Sequence, residues 1–250
     1  MKVYETKDIR NVGIAGHGHS GKTSVVAGLL YAAGATNRLT RTDEGNTITD
    51  YDEEEIQRKL TISTSLAAIE WKKIKINLFD TPGFNMFVND ARATLVAADA
   101  VVMVIDAIAG VEPHTEKMWG IAEEFQIPRA IVINKLDREL ASFERALESI
   151  HSRFGRAAVP IQLPLGHDKD FRGVIDLIRM KARVYTTDGD GKSTETDIPA
   201  EYAEAAKIAH EELVELIAEG KDDLMEEFFE KGTLPEEHII SGLDEEMREM

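Results

Sequence analysis

The sequence contains no cysteine. That excludes disulfides, thiolate nucleophiles and cysteine-held metals, and it fits a reducing compartment. Long apolar runs are also missing: each is interrupted well short of the ~18 residues that a membrane-spanning helix needs. The opening residues, Met1 to Val12, hold no apolar signal core. No membrane partner is expected, and a cytoplasmic location is. Positive charge is scarce, with 29 Lys and Arg against 46 Asp and Glu, for a net charge of −17. The deficit is concentrated, because 17 acids and 4 bases between Glu201 and Met250 place −13 of it there. Non-specific attraction to nucleic acid phosphates is disfavoured for that segment. It reads as a solvated helical surface or as a docking face for a basic partner.

What is present is ample material for a core. Hydrophobic residues make up 43% and charged residues 30% of 250 positions, enough for one large domain or one domain with a sizeable insert. The first ~150 residues alternate strand-like and helix-like segments, which predicts a mostly parallel sheet flanked by helices, an α/β fold. Strands are expected at 11–16, 65–71, 73–80, 100–106 and 129–134. Helices are expected at 21–33, 87–98, from Pro113, and at 142–154. Ala100 to Asp106 is nearly continuously apolar, the mark of a strand buried on both faces. After Gly155 the character changes. Short apolar segments at 159–165 and 174–177 precede a hairpin, 181–187 and 192–198, around the turn Asp188 to Gly191. A helix follows Pro199, with Tyr202, Ala206, Ala209, Leu213, Leu216 and Ile217 on one face. Acidic helices are expected near 222–230 and 235–249. This second part reads as an α+β insert or subdomain.

Three motifs carry chemistry. The first strand runs into Gly16-His17-Gly18-His19-Ser20-Gly21-Lys22-Thr23, a G-x-x-x-x-G-K-[ST] loop before a helix that continues with Ser24. Backbone N–H groups of such a loop cradle phosphates, Lys22 reaches the β- and γ-phosphates, and Thr23 offers a hydroxyl to Mg²⁺. The strand at 73–80 ends in Asp80-Thr81-Pro82-Gly83. Alone this is only a turn. Beside a phosphate loop, Asp80 can hold Mg²⁺ through a water and Gly83 can present its N–H to a γ-phosphate. Asn134-Lys135-Leu136-Asp137 closes the strand at 129–134. An Asp here can accept both N1–H and N2–H₂ of guanine, whereas adenine would leave the carboxylate unpaired. Between the first two motifs, Thr61 is either a second hydroxyl for Mg²⁺ in a nucleotide-dependent switch or an ordinary loop threonine.

With these residues in place the chain resembles the translational GTPases, and specifically elongation factor G, over essentially its whole length. Ala15 to Thr23 is similar to the family's P-loop, Arg58 to Ile62 to its switch I, and Asp80 to Gly83 with Phe87 to its switch II. Asn134 to Arg138 matches its N-K-x-D-R, and Val159 to Gly166 with Phe171 to Leu177 is similar to the segment opening its insert. The resemblance implies a P-loop NTPase G domain at 1–158 with an insert at 159–250, binding GTP or GDP with Mg²⁺. Thr23, Thr61 and Asp80 then serve the metal, and Lys22, Thr61 and Gly83 serve hydrolysis. It also implies a monomer working on the ribosome, contact between the acidic helices at 200–250 and the ribosomal stalk protein, and a chain that continues beyond Met250.

The departures from the family are specific. Phe84 stands where switch II has a water-positioning His, and His19 where the P-loop has Asp. Gly18 and Leu60 occupy the two positions that flank that His, Lys59 replaces a glycine, and Gln57 replaces an acid. Phe has no polar atom with which to orient water. Either the Phe84 ring fills the space left by Gly18, or it packs outward on the following helix. His19 either donates to a phosphate or faces solvent, and His17 reads as structural. The functional readings are a slow ribosome-associated GTPase, a GTP-sensing ribosome-binding module with little hydrolysis, and a ribosomal protection-type factor. A P-loop kinase using ATP is disfavoured by Asp137.

Overall fold

The computed structural model describes residues 2–156, 158–186 and 191–249. Its contacts divide the chain into two compact units, Met1–Lys135 and Leu136–Met250. The sequence-based boundary at 158/159 falls inside the second unit.

The first unit holds β1 (Ile9–Ala15), α1 (Lys22–Ala32), α2 (Glu53–Arg58), β2 (Ser65–Trp71), β3 (Ile74–Asp80), α3 (Val88–Val96), β4 (Ala100–Asp106), α4 (Pro113–Glu124) and β5 (Arg129–Asn134). Its sheet has the order β2-β3-β1-β4-β5. β1 lies parallel to β3 and β4, and β4 parallel to β5, while β2 joins antiparallel at the edge. The mostly parallel α/β fold is therefore as the alternation implies. Each face buries an apolar layer. Val26 and Leu30 of α1 pack with Ile14, Leu78 and Val104; Leu95 of α3 and Met118 of α4 pack with Val101 and Met103. Register places Ile14 opposite Asp80 and Asp106 opposite Asn134. The chemistry-bearing residues thus emerge together at the carboxyl ends of the parallel strands, where open α/β sheets bind ligands.

The turn expected at the Lys-Lys pair is present, and one short helix lay outside the periodic signal. Lys72 and Lys73 turn the β2–β3 hairpin with φ of 49° and 72°, the left-handed pair that Asn-Gly usually supplies. α2 is too short to show a period, yet it has its own signals. Asp52 caps it by accepting from Glu54 N–H at 2.8 Å, three acids occupy its first turn, and Arg58 its last, all favourable to the helix dipole. Lys59 ends it in the left-handed region at φ 52°, so the family's glycine position keeps a glycine-like backbone.

The second unit holds α5 (Phe143–Phe154), β6 (Gln162–Leu165), β7 (Gly173–Asp176), β8 (Lys181–Tyr185), β9 (Ser193–Thr196), α6 (Ala200–Glu219), α7 (Asp222–Lys231) and α8 (Glu236–Glu249). The four strands form an antiparallel sheet in sequence order. The centre of the expected hairpin turn, residues 187–190, lies outside the described residues. Ala206, Leu213, Val214 and Ile217 of α6 pack with Leu165 and Ile175 of the sheet and with Leu177 just after β7. The buried stripe is thus rotated slightly from the predicted face, and Tyr202, Ala209 and Leu216 line its rim. Among the described residues, no helix is long and apolar enough to cross a membrane.

Leu213 is fully buried in this core. Leu213→Ala is expected to lower stability by about 3 kcal/mol, the sum of lost transfer energy and residual cavity, measured by urea unfolding.

Candidate functional site

The loop after β1 is organised by glycines where no side chain fits. Gly16 and Gly21 take φ of 138° and 97°. A Cβ on Gly16 would collide with the Val104 carbonyl, and one on Gly21 with the Asn134 amide. The loop's carbonyls are held from outside. Lys22 Nζ donates to His17 O at 2.9 Å, Asn134 Nδ2 donates to Ser20 O at 2.9 Å, and Lys135 Nζ donates to His19 O. Holding these carbonyls fixes the loop's peptide planes so that its N–H groups can face an anion, apart from the Ser20 N–H, which donates to His17 O at 3.3 Å. His17 is buried. Its N–H donates to Thr115 Oγ1 at 3.2 Å, and its Nδ1 lies 3.0 Å from the same hydroxyl. Burial, seconded by the Lys22 charge, pushes the imidazole down to about 4, so His17 is a neutral structural residue. His19 is exposed. Ser20 Oγ is buried without a hydrogen-bond partner among the described residues.

The three residues expected to serve a metal are brought together. Thr23 Oγ1 and Thr61 Oγ1 are 3.2 Å apart, and Thr61 Oγ1 donates to Asp50 Oδ1 at 2.9 Å. Asp80 Oδ2 accepts from Thr49 Oγ1 at 2.7 Å. With the Thr61 proton committed to Asp50, the single Thr23 proton is shared between Thr61 and Asp80. Burial pushes the Asp80 carboxyl up to about 6 against the hydrogen bonds from Thr49 and Thr23, and burial likewise raises Asp50. Lys22, lowered to about 8 by burial, is the cation that both acids oppose. Asp80 Oδ1 has no partner among the described residues. Two buried carboxylates, two hydroxyls and one unsatisfied oxygen form a hard, under-neutralised oxygen cluster that fits Mg²⁺.

Switch II closes directly on the loop. A Cβ on Gly83 would meet Gly18 N at 2.8 Å and would collide with Lys22 Nζ, so close approach, not an unusual φ, demands glycine here. Phe84 does not pack outward. Its ring covers Gly18, where a Cβ would come within 2.7 Å of it. It also meets His19 edge-on, with centroids 5.4 Å apart and planes at 84°. Thr81 donates its hydroxyl to Ile14 O at 2.7 Å and anchors the turn to β1, and Pro82 is buried beside it. Ser24 is exposed on the first turn of α1, and Leu136 and Asp137 form the turn that follows Lys135 and opens the second unit.

Several participants escaped the sequence reading. Asp106 ends an apolar strand in an acid, as Asp80 does, and that shared signal pointed to it. Burial alone would raise its carboxyl, but Lys135 at 2.7 Å and the N–H groups of Ile108 and Ala109 outweigh burial and hold it low. Lys135 thereby ties β4 to the P-loop. Glu55 is buried and accepts from Ile62 N at 2.9 Å and Ser63 N at 3.2 Å, pinning the backbone just after Thr61. Thr49, Asp50 and Thr115 carry no motif signal at all.

Two outcomes follow from this geometry. Gly18→Ala is expected to cost about 1–3 kcal/mol by overpacking, and most of that cost should vanish in a Phe84→Ala background; a double-mutant cycle in urea measures the coupling. His17 is the second case. Its folded value near 4 lies below the ordinary 6.5, so the unfolded chain binds the extra proton between those values. The stability that His17 contributes should therefore fall as pH drops from 6.5 towards 4, by at most about 3 kcal/mol. Asp80, raised to about 6, works in the opposite direction, so the His17 contribution is read as the stability difference between wild type and His17→Gln, which should shrink as pH falls through this range.

Comparison with known proteins agrees with the geometry. Residues 7–244 match the family described as the elongation factor Tu GTP binding domain. A crystal structure of a protein from Thermus thermophilus superposes with a TM-score of 0.87 at 34% identity, covering 96% of this chain and 36% of that one. The chain thus spans about a third of that protein's length. Phosphate loop, switch cluster and strand order all agree with a match that runs from the first strand into the last helix, and the chain belongs to the elongation factor Tu GTP-binding domain family, as the G domain of a translational GTPase.

Proposed function

We propose that this chain is the guanine-nucleotide-binding part of an elongation factor G-like, ribosome-associated translation factor of the cytoplasm, in which GTP hydrolysis is slow. On this reading residues 1–158 form the nucleotide-binding core and 159–250 its insert. Loop N–H groups and Lys22 hold the phosphates, Thr23, Thr61 and Asp80 hold Mg²⁺, and Asp137 reads guanine. Mg²⁺, when bound, neutralises charge on the β- and γ-phosphates. Lys22 and the Gly83 N–H stabilise charge on the transferring phosphoryl group. The acidic helices of the insert, with most of the chain's net negative charge, suit a basic ribosomal stalk protein.

The observation that carries slow hydrolysis is Phe84 seated on Gly18. The residue after the γ-phosphate-sensing glycine places a ring, and no polar atom, over the loop. General-base or water-positioning groups contribute roughly 10²–10⁴ in rate, and that contribution is what Phe84 lacks. The same observation favours a second reading, a GTP-sensing module that binds the ribosome and hydrolyses little.

Displacement of a fluorescent guanine nucleotide by GTP and GDP but not by ATP tests the nucleotide class. Displacement by ATP would revive the kinase reading. Phosphate release with and without ribosomes separates the two GTP readings, since the module predicts neither burst nor turnover. In single-turnover assays Phe84→His is expected to raise the hydrolysis rate by at least about 10-fold, and an unchanged rate would remove Phe84 from the mechanism.

A further inference from the structure

A buried imidazole lies beside switch II without engaging the P-loop or the oxygen cluster. His114, on the first turn of α4, is 9% exposed. Neither ring nitrogen has a hydrogen-bond partner among the described residues. The Pro82 carbonyl of switch II is close enough to act on the ring as a backbone acceptor, short of a full hydrogen bond, and the charges acting on it are Lys22 and Lys117. Burial first, and these two cations second, hold the imidazole below its ordinary value. The ring is therefore neutral at physiological pH, with one N–H and one lone pair. An unpartnered buried imidazole is uncommon and costs stability.

Its neighbours on α4 are already engaged with the two moving parts of the site. Thr115 holds His17 of the P-loop. Lys117 Nζ donates at 2.6 Å to the Oδ1 of Asn85, a residue just past Pro82. Residues 114 to 117 thus touch the loop and switch II together, and His114 faces the one peptide on which γ-phosphate sensing depends.

The geometry of that peptide is decisive. Pro82 C=O and Gly83 N–H belong to the same planar unit, and among the described residues no peptide bond is cis. In a trans peptide the carbonyl and the N–H point in opposite directions. A donor that captures the Pro82 carbonyl from the α4 side aims the Gly83 N–H to the other side. Gly83 lies against Gly18 and the Lys22 amine, so a phosphate held by Lys22 would compete for space with this turn, and a donor on the Pro82 carbonyl would bias how the turn answers.

We propose that His114 is a positioning residue for switch II: its ring N–H captures the Pro82 carbonyl in the γ-phosphate-bound state and so orients the Gly83 N–H towards that phosphate. This rests on the guanine-nucleotide reading of the site. On this proposal the bond is stronger in the triphosphate state than in the diphosphate state, so it contributes to the preference for triphosphate.

The test measures affinity for GDP and for a non-hydrolysable GTP analogue by nucleotide fluorescence, on the full chain and on His114→Ala and His114→Gln. His114→Ala is expected to weaken the analogue by roughly 5- to 10-fold, the scale of one hydrogen bond, with GDP changed less than about 2-fold. Gln, which keeps an N–H donor without a titratable ring, should restore most of the loss. Circular dichroism confirms that each variant is folded, and Gln serves as the readable variant if Ala is not. Equal losses for both nucleotides, no loss for either, or a selective loss that Gln fails to repair would overturn the proposal. A wild-type chain that binds neither nucleotide would overturn the nucleotide-site reading, and this inference with it.

Discussion

The site depends on the outward carbonyls of the P-loop being satisfied. A backbone that points its N–H groups at an anion must turn the carbonyls of the same peptides the other way, and buried carbonyls need donors. Three lysine and asparagine side chains supply them. Lys22 takes His17 O, Lys135 takes His19 O, and Asn134 takes Ser20 O. Lys135 is itself held by Asp106 at the end of β4. The N-K of the guanine motif therefore has a structural task before it has a recognition task. It locks the loop to the ends of β4 and β5, and the parallel register that puts Asp106 beside Asn134 makes the lock possible.

On the opposite side of the loop, packing replaces polarity. Gly18 leaves its upper surface bare, and the Phe84 ring lies on it with His19 against the ring edge. The two positions are coupled sterically: a side chain at 18 excludes the ring, and without the ring a glycine at 18 leaves a gap. Gly18, His19 and Phe84 therefore pack as one unit distributed over two loops.

Much of this was legible in the chain. Buried strands announce themselves as apolar runs, and where such a run stops at a glycine or an acid the residue marks a strand end. Gly16, Asp80 and Asn134 were found that way, and Asp106 could have been. Thr49, Asp50, Glu55, His114 and Thr115 were not legible, because each acts through a partner that folding alone brings near. Thr49 meets Asp80 across 31 positions and Thr115 meets His17 across 98. Helix α2 escaped because six residues carry too little periodicity, although the Asp52 cap and its acidic first turn were present in the sequence. Phe84 was legible as a missing polar group but not as to direction. A ring after a turn can point either way, and only the bare surface of Gly18 decides it.

Sensing and cutting can be separated on one turn. The Gly83 N–H needs only a correctly aimed peptide plane, which depends on Pro82, on the close approach to Gly18, and on whatever holds the Pro82 carbonyl. Hydrolysis needs in addition a polar group to orient water, and in this chain position 84 supplies packing instead. The features proposed to recognise a γ-phosphate, namely the loop, Lys22, the oxygen cluster of Thr23, Thr61 and Asp80, and Gly83, are all present and in contact with one another. The feature that would act on it is replaced by a hydrophobe that fits its surroundings. If hydrolysis is slow, as proposed, a G domain built in this way would lengthen the lifetime of its triphosphate state while keeping the groups proposed to tell that state from the diphosphate one.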